Sequence, residues 1–493
     1  MAINLIYAAS GGFYTSSIET IKNTMMYKTL LIFSILFLCL KHSHAQPVME
    51  MSLTVEFFPQ DAALYGYSVS NKHFMNAQAR ISLNPDSQIQ VFFLHSELRI
   101  DSIMLKGETI KYQTEKVPYR YNYNGLALKV KFEPTRSFKN SELIVYYSGF
   151  FHLSKVRSLS DYMQIDKSSG VFLRGYGYSL WFPVFISSNE DAYTTNFKRI
   201  SVTVPEKFAC VLNGQQLEEK IIKSKRISTW SPGFKNIKNI QCVAAPFQKT
   251  TRKHIKFYHQ PDDKNKSHVI AFIDSLQNFY SNTYQEPNQN KSIYLVEMPE
   301  YGNISAGNMI GITTEVIKNF NTALSARATI AHELVHAYVH MPVQQSNPMY
   351  AFIIEGFPGF FHLYALDKLL PEKDFSLKAY MKKIKKAYVE KQNTGKDRWN
   401  NALPEEKPIL AIQADEIGNY KDRFILNDRV RLFLFDLYLK MGEEKFEVFI
   451  KQVLTGAITQ YEDFADAVTA ILPGYEQQVH FWLKTTDPVC TKK

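Results

Sequence analysis

Residues 328–340 read ATIAHELVHAYVH, and the chain's architecture turns on how that stretch is understood. It contains H-E-x-x-H at 332–336. On a helix, residues four apart share a face, so His332 and His336 point the same way. Two imidazoles so placed can grip one Zn²⁺ at roughly 2.0–2.1 Å each. Glu333, beside the first of them, can then reach a metal-bound water as general base. Asn321 or Thr322 can cap the start of such a helix, and Pro342 stops it. The plainer alternative is two histidines on an ordinary helix, and a third ligand is needed to choose.

His340 fails as that ligand. It lies eight residues past His332, about 12 Å along a helix axis, too far to share one ion. Glu355 is better placed. It sits in YAFIIEGFPGFFHLYAL, residues 350–366, among Phe352, Ile353, Ile354 and Phe357. Asn347 and Pro348 supply an N-cap and first-turn proline for a second helix. A carboxylate among such neighbours is costly to bury without a strong partner, and metal coordination is one. The alternative is a solvent-facing glutamate on an amphipathic helix.

The chain has 493 residues, 45% hydrophobic and 14% aromatic, enough for two or three domains with large cores. The net charge of +10 is scattered, with no Arg/Lys block interleaved with aromatics, which argues against nucleic acid as partner. Residues 1–45 read as a targeting segment. Lys28 precedes the apolar run TLLIFSILFLCL, and Ser43-His44-Ala45 offers a small-x-small cleavage site. Translation could begin at Met25 or Met26, because the residues before them do not suit a signal n-region. The run is short for a bilayer span, so an exported chain without a stable membrane anchor is expected, periplasmic or secreted. Cys210 and Cys242 could pair in such a compartment or stay free; neither lies in a C-x-x-C.

From 46 to 250 the signal is β. LALKVKF at 126–132 alternates on a period of two, and ELIVYYSGF and RISVTVP are β-branched and aromatic. This predicts an N-terminal antiparallel saddle or sandwich. From 251 to 493 a helix at 268–284 and a strand at 292–299 precede mainly helical signals, an α+β domain.

The spacing HELVH-x18-E, followed by Gly356-Phe357, resembles the alanyl/leucyl aminopeptidase family of gluzincin zinc metallopeptidases. The resemblance implies a thermolysin-like catalytic domain, one Zn²⁺ per chain held by His332, His336 and Glu355, and Glu333 as general base on a peptide substrate. The family's oxyanion-binding tyrosine falls about 65 residues past the glutamate ligand, where this chain has Tyr420. Upstream, the family's G-x-M-E-N loop matches SAGNMIGITTE at 305–315, nominating Gly307, Asn308 and Met309 for substrate binding. The family's amine-binding glutamate is replaced by Ile310 or Asn308, depending on the alignment, which implies altered terminus recognition. The family's large C-terminal helical domain has no counterpart in the roughly 70 residues after Tyr420. Besides a compact zinc peptidase, the residues admit a zinc-containing peptide-binding protein without turnover, against which the intact Glu333 argues, and a structural β-rich surface protein.

Overall fold

The computed structural model describes residues 49–59, 73–82, 91–118, 126–132, 141–150, 163–173, 180–185, 195–232, 240–261, 264–284, 292–299, 303–338, 347–394, 407–413, 425–455 and 458–486. The targeting segment, His340, Pro342, Tyr420 and Cys490 lie outside them.

The first part is built from sheets. The largest has eight strands, in the order Gln215–Ile222, Lys225–Ser231, Thr195–Pro205, Met49–Phe57, Phe74–Ser82, Glu142–Phe150, Leu98–Leu105, Glu108–Thr109. Its pairs are antiparallel except Met49–Phe57 on Thr195–Pro205, which is parallel, so the expectation of a purely antiparallel region needs that correction. A parallel neighbour needs a long connection rather than a hairpin, and strands of this sheet and of two others lie within it. In Leu126–Phe132, Leu128, Val130 and Phe132 are buried while Lys129 and Lys131 turn outward. Period-two patterning therefore selects the core face there.

The five-stranded sheet positions the site. Its order is Gln248–Arg252, Ile255–His259, Ile293–Met298, Met309–Thr313, Ile304–Ala306. Every residue of the central Ile293–Met298 is buried, as expected of a strand paired in parallel on both sides and covered on both faces. Alternate residues serve two cores. Tyr294, Val296 and Met298 join the core of the preceding sheets, while Ile293 and Leu295 join the core of the helices that follow. The last two strands form a hairpin absent from the sequence expectation. Ala306 pairs with Met309, and Gly307, at φ +57°, takes the left-handed position of the tight turn between them.

The helices are α1 (Lys266–Tyr284), α2 (Thr314–Lys318), α3 (Leu324–Tyr338), α4 (Phe357–Leu369), α5 (Leu377–Thr394), α6 (Val430–Met441), α7 (Glu443–Leu454), α8 (Tyr461–Ile471) and α9 (Glu476–Lys484). Helix α4 is apolar nearly all round and buried from Phe357 to Leu366, so it forms the middle of the helical core. Helix α3 packs across it and buries Ile330, Ala331, Leu334 and Val335. The helix carrying the histidines is thus fixed on its apolar side, leaving its polar residues partly exposed. Among the described residues, no helix is long and apolar enough to cross a membrane.

Candidate metal centre

Helix α3 sets His332 and His336 one turn apart, their rings edge to face at 4.8 Å. Their Nε2 atoms approach to 3.2 Å. The third residue arrives from a π-helical turn, Phe352–Gly356, in which the Phe357 N–H bonds to the Phe352 carbonyl. The cause is local. Pro358 has no N–H, and its ring would meet the Ile354 carbonyl in a regular helix, so the turn before it widens. Upstream, the Asn347 side chain accepts the Met349 N–H at 2.8 Å, acting as the cap read from the sequence. At the start of α3, by contrast, Thr322 donates its hydroxyl back to the Asn319 carbonyl, and the helix begins at Leu324.

The Glu355 carboxylate lies 3.6 Å from His332 Nε2 and 4.0 Å from His336 Nε2. Among the described residues these three are the group of His, Cys, Asp or Glu side chains able to hold a metal ion, with ligand atoms within 4.8 Å of one another. A point equidistant from the three atoms lies about 2.1 Å from each, the bond length zinc takes with nitrogen and oxygen. Two imidazoles and one carboxylate, partly exposed, also match the three protein ligands of a catalytic zinc with an open position.

The two imidazoles differ in charge preference. Burial, reinforced by His332, holds the His336 imidazole down to about 4, in the neutral form that a metal ligand requires. Burial also pushes His332 down, but its hydrogen bond to Glu355 and the charges of Glu333 and Glu355 outweigh it, and its pKa is raised. Glu333 is partly exposed on the same helix.

Three neighbours were not nominated from the sequence. His362 is buried against His332, the rings edge to face at 5.2 Å. Its Nδ1–H donates to the Pro358 carbonyl at 2.7 Å. Burial, then the charges of His332 and Arg431, drive its pKa well below the usual value, so it is neutral with its lone pair on Nε2. Its place seven residues after Glu355, two helical turns on, was a readable signal. Asn427 and Arg431 come from the π-helical turn Ile425–Arg429 and α6, which pack against the Glu355 turn. Arg431 Nε donates to the Gly359 carbonyl at 2.7 Å. Nothing local in the sequence ties either to Glu355.

The residues nominated upstream have other partners. The Asn308 amide donates to the carbonyls of Gly214 and Ser292, both at 2.8 Å, and accepts the Gly214 N–H at 2.7 Å. It clamps a turn of the first part to the five-stranded sheet. Met309 is fully buried, and Gly311 makes room for Ile304 and Met298, which its Cβ would meet at 2.9 Å. Cys210 and Cys242 are free, buried thiols on neighbouring strands; burial, then the hydrogen bond to Cys242, raises the Cys210 pKa.

No protein-family model matches the chain, and no curated protein matches it in sequence. Solved structures do match. An M1 zinc metallopeptidase from Deinococcus radiodurans aligns with a TM-score of 0.61 at 14% identity, over 91% of this chain and 96% of that one. A mutant of that enzyme bound to a Tyr-Ser-Ala substrate aligns at 0.60 and 13% identity, with the same coverage. Native yeast LTA4 hydrolase aligns at 0.62 and 14% identity, over 90% of this chain and 68% of that one. At such identities the likeness is one of fold, and the chain has the fold of the M1 zinc metallopeptidases.

Proposed function

We propose that this chain is an exported, zinc-dependent peptidase, with His332, His336 and Glu355 holding one Zn²⁺. The observation that carries the reading is the convergence of those three ligand atoms, within 4.8 Å, on a fold shared with zinc metallopeptidases. A zinc ion bound there supplies Lewis acidity, polarising the scissile carbonyl and making a water acidic near neutral pH. Glu333, on the helix that carries both histidines, takes the proton from the attacking water and passes it to the leaving amine. Tyr420 donates a hydrogen bond to the developing oxyanion, a role worth roughly 3 kcal/mol for such donors.

An extended peptide pairs with the edge strand Ile304–Ala306, which continues into the Gly307 turn. The backbone serves in this contact, because the side chains of Asn308 and Met309 are engaged elsewhere. Neither Ile310 nor Asn308 carries the charge that would hold a free amine, so strict aminopeptidase selectivity is not expected. The export part rests on residues 1–45, and N-terminal sequencing of the mature protein should begin at Gln46.

The direct test is metal analysis with Glu333→Gln. About one zinc per chain is expected in both proteins, and hydrolysis of a peptide panel should fall by roughly 10²–10⁴-fold in the variant. Equal rates would refute the role of Glu333. Zinc without turnover in either protein would favour the peptide-binding alternative.

A further inference from the structure

On the peptidase reading above, we propose that Asn427 and Arg431 form an anion subsite beside the metal centre, one that takes a carboxylate of the peptide substrate. The two residues are one helical turn apart, so they share a face. That face meets Gly359, itself one turn beyond Glu355. A Cβ on Gly359 would lie in ordinary contact with both, 3.6 Å from Arg431 Nε and 3.8 Å from Asn427 Oδ1, so the two side chains flank this position.

Both groups have hydrogen-bonding capacity to spare. Arg431 uses Nε on the Gly359 carbonyl, and its two terminal nitrogens have no acceptor among the described residues. Asn427 makes no side-chain hydrogen bond there either. Both are partly exposed, although Leu426, Asp428, Arg429, Val430 and Leu432 around them are buried. Asp428, on the same turn, acts on Arg431 through its charge but gives its hydrogen bond to Lys391 Nζ, at 2.8 Å. A partly buried guanidinium whose terminal donors meet no acceptor among the described residues is costly, and a forked donor suits a carboxylate in two-point contact. The same stretch packs Val430 against Gly356, the residue after Glu355, while Arg431 holds the Gly359 carbonyl one turn further on. One turn of helix is about 5–6 Å, so an anion held there lies one or two residues from the scissile bond. The substrate class is therefore a peptide with a free C-terminal carboxylate just past the cleaved bond.

The test uses zinc-loaded full-length protein and pairs of N-acetylated peptides that differ only in ending as a carboxylate or a carboxamide. Wild type should favour the acid by at least about tenfold in kcat/KM, mainly through KM, the loss expected when one charge-assisted contact goes. Arg431→Gln should bring the ratio near one, and Arg431→Lys should retain part of it. Equal handling of acid and amide by wild type, or a ratio unchanged in Arg431→Gln, overturns the subsite. Calorimetric binding of the same pair to Glu333→Gln protein decides the matter without turnover. A preference for the acid there, with no hydrolysis by wild type, would refute the peptidase reading and leave the subsite standing.

Discussion

Gly356 follows the third candidate ligand, and replacing it with alanine tests whether this π-helical turn packs against α6 as closely as the structure requires. Its backbone is ordinary right-handed helix, at φ −64° and ψ −49°. Alanine by itself should therefore help, by about 0.5–1 kcal/mol. Packing opposes it. A Cβ at 356 would stand 2.8 Å from Val430 Cγ1 and 3.3 Å from Cγ2, against about 3.5–4.0 Å for relaxed carbon contacts. Val430 is fully buried at the start of α6, and a β-branched side chain in a helix has one strongly preferred rotamer, so it cannot turn aside. The helices must separate by roughly an ångström, an overpacking cost of about 1–3 kcal/mol. The net expectation for Gly356→Ala is a loss of about 0.5–2 kcal/mol. Urea unfolding measures it, and Val430→Ala supplies the control by deleting the methyls that the new Cβ meets. In that background Gly356→Ala should be neutral or stabilising, with a coupling of about 1–2 kcal/mol. The same cost in both backgrounds, or a stabilised single mutant, would show that the close approach is not there.

Asn308→Ala should cost about 2–4 kcal/mol, because it strands buried groups of Gly214 and Ser292. Urea midpoints check this, and a large change in KM at unchanged stability would instead point to substrate contact. Asp274 is buried, which raises its pKa, yet hydrogen bonds from Lys253 at 3.0 Å and Arg252 at 3.1 Å outweigh burial and lower it below 3.8. Its stabilisation should be present above the unfolded value and disappear as pH falls through the depressed folded value. Asp274→Asn should therefore lessen the stability lost between pH 6 and pH 3, and an unchanged acid limb in denaturant titrations would contradict this. The Cys210 and Cys242 thiols should resist a thiol reagent in native protein and react once it is unfolded. Mass spectrometry finding them oxidised to a disulfide would reverse that expectation.

The convergence of the three candidate ligands was readable because most of it is local. The four-residue spacing of His332 and His336 requires only that 324–338 be helical, and it is. Glu355 stood out as a carboxylate in an apolar run, and the hairpin of α3 against the following helix brings it to both imidazoles. The sheet-then-helix order was likewise visible from periodicities of two and 3.6. The Ile304–Thr313 hairpin was not, since two strands of three and five residues around a glycine turn leave too short a pattern.

Local spacing along the sequence thus determined which residues share a helix face, and with it the nominated ligand set. Only the tertiary structure decided what those faces meet. Pairing across the sheets committed the Asn308 amide to Gly214, a residue 94 positions away. Packing of the Ile425–Arg429 turn and the start of α6 against Gly356 and Gly359 brought Asn427 and Arg431 to the turn after Glu355. Such contacts depend on the volumes and hydrogen-bonding demands of residues far apart in the chain, which no periodicity in a single segment encodes.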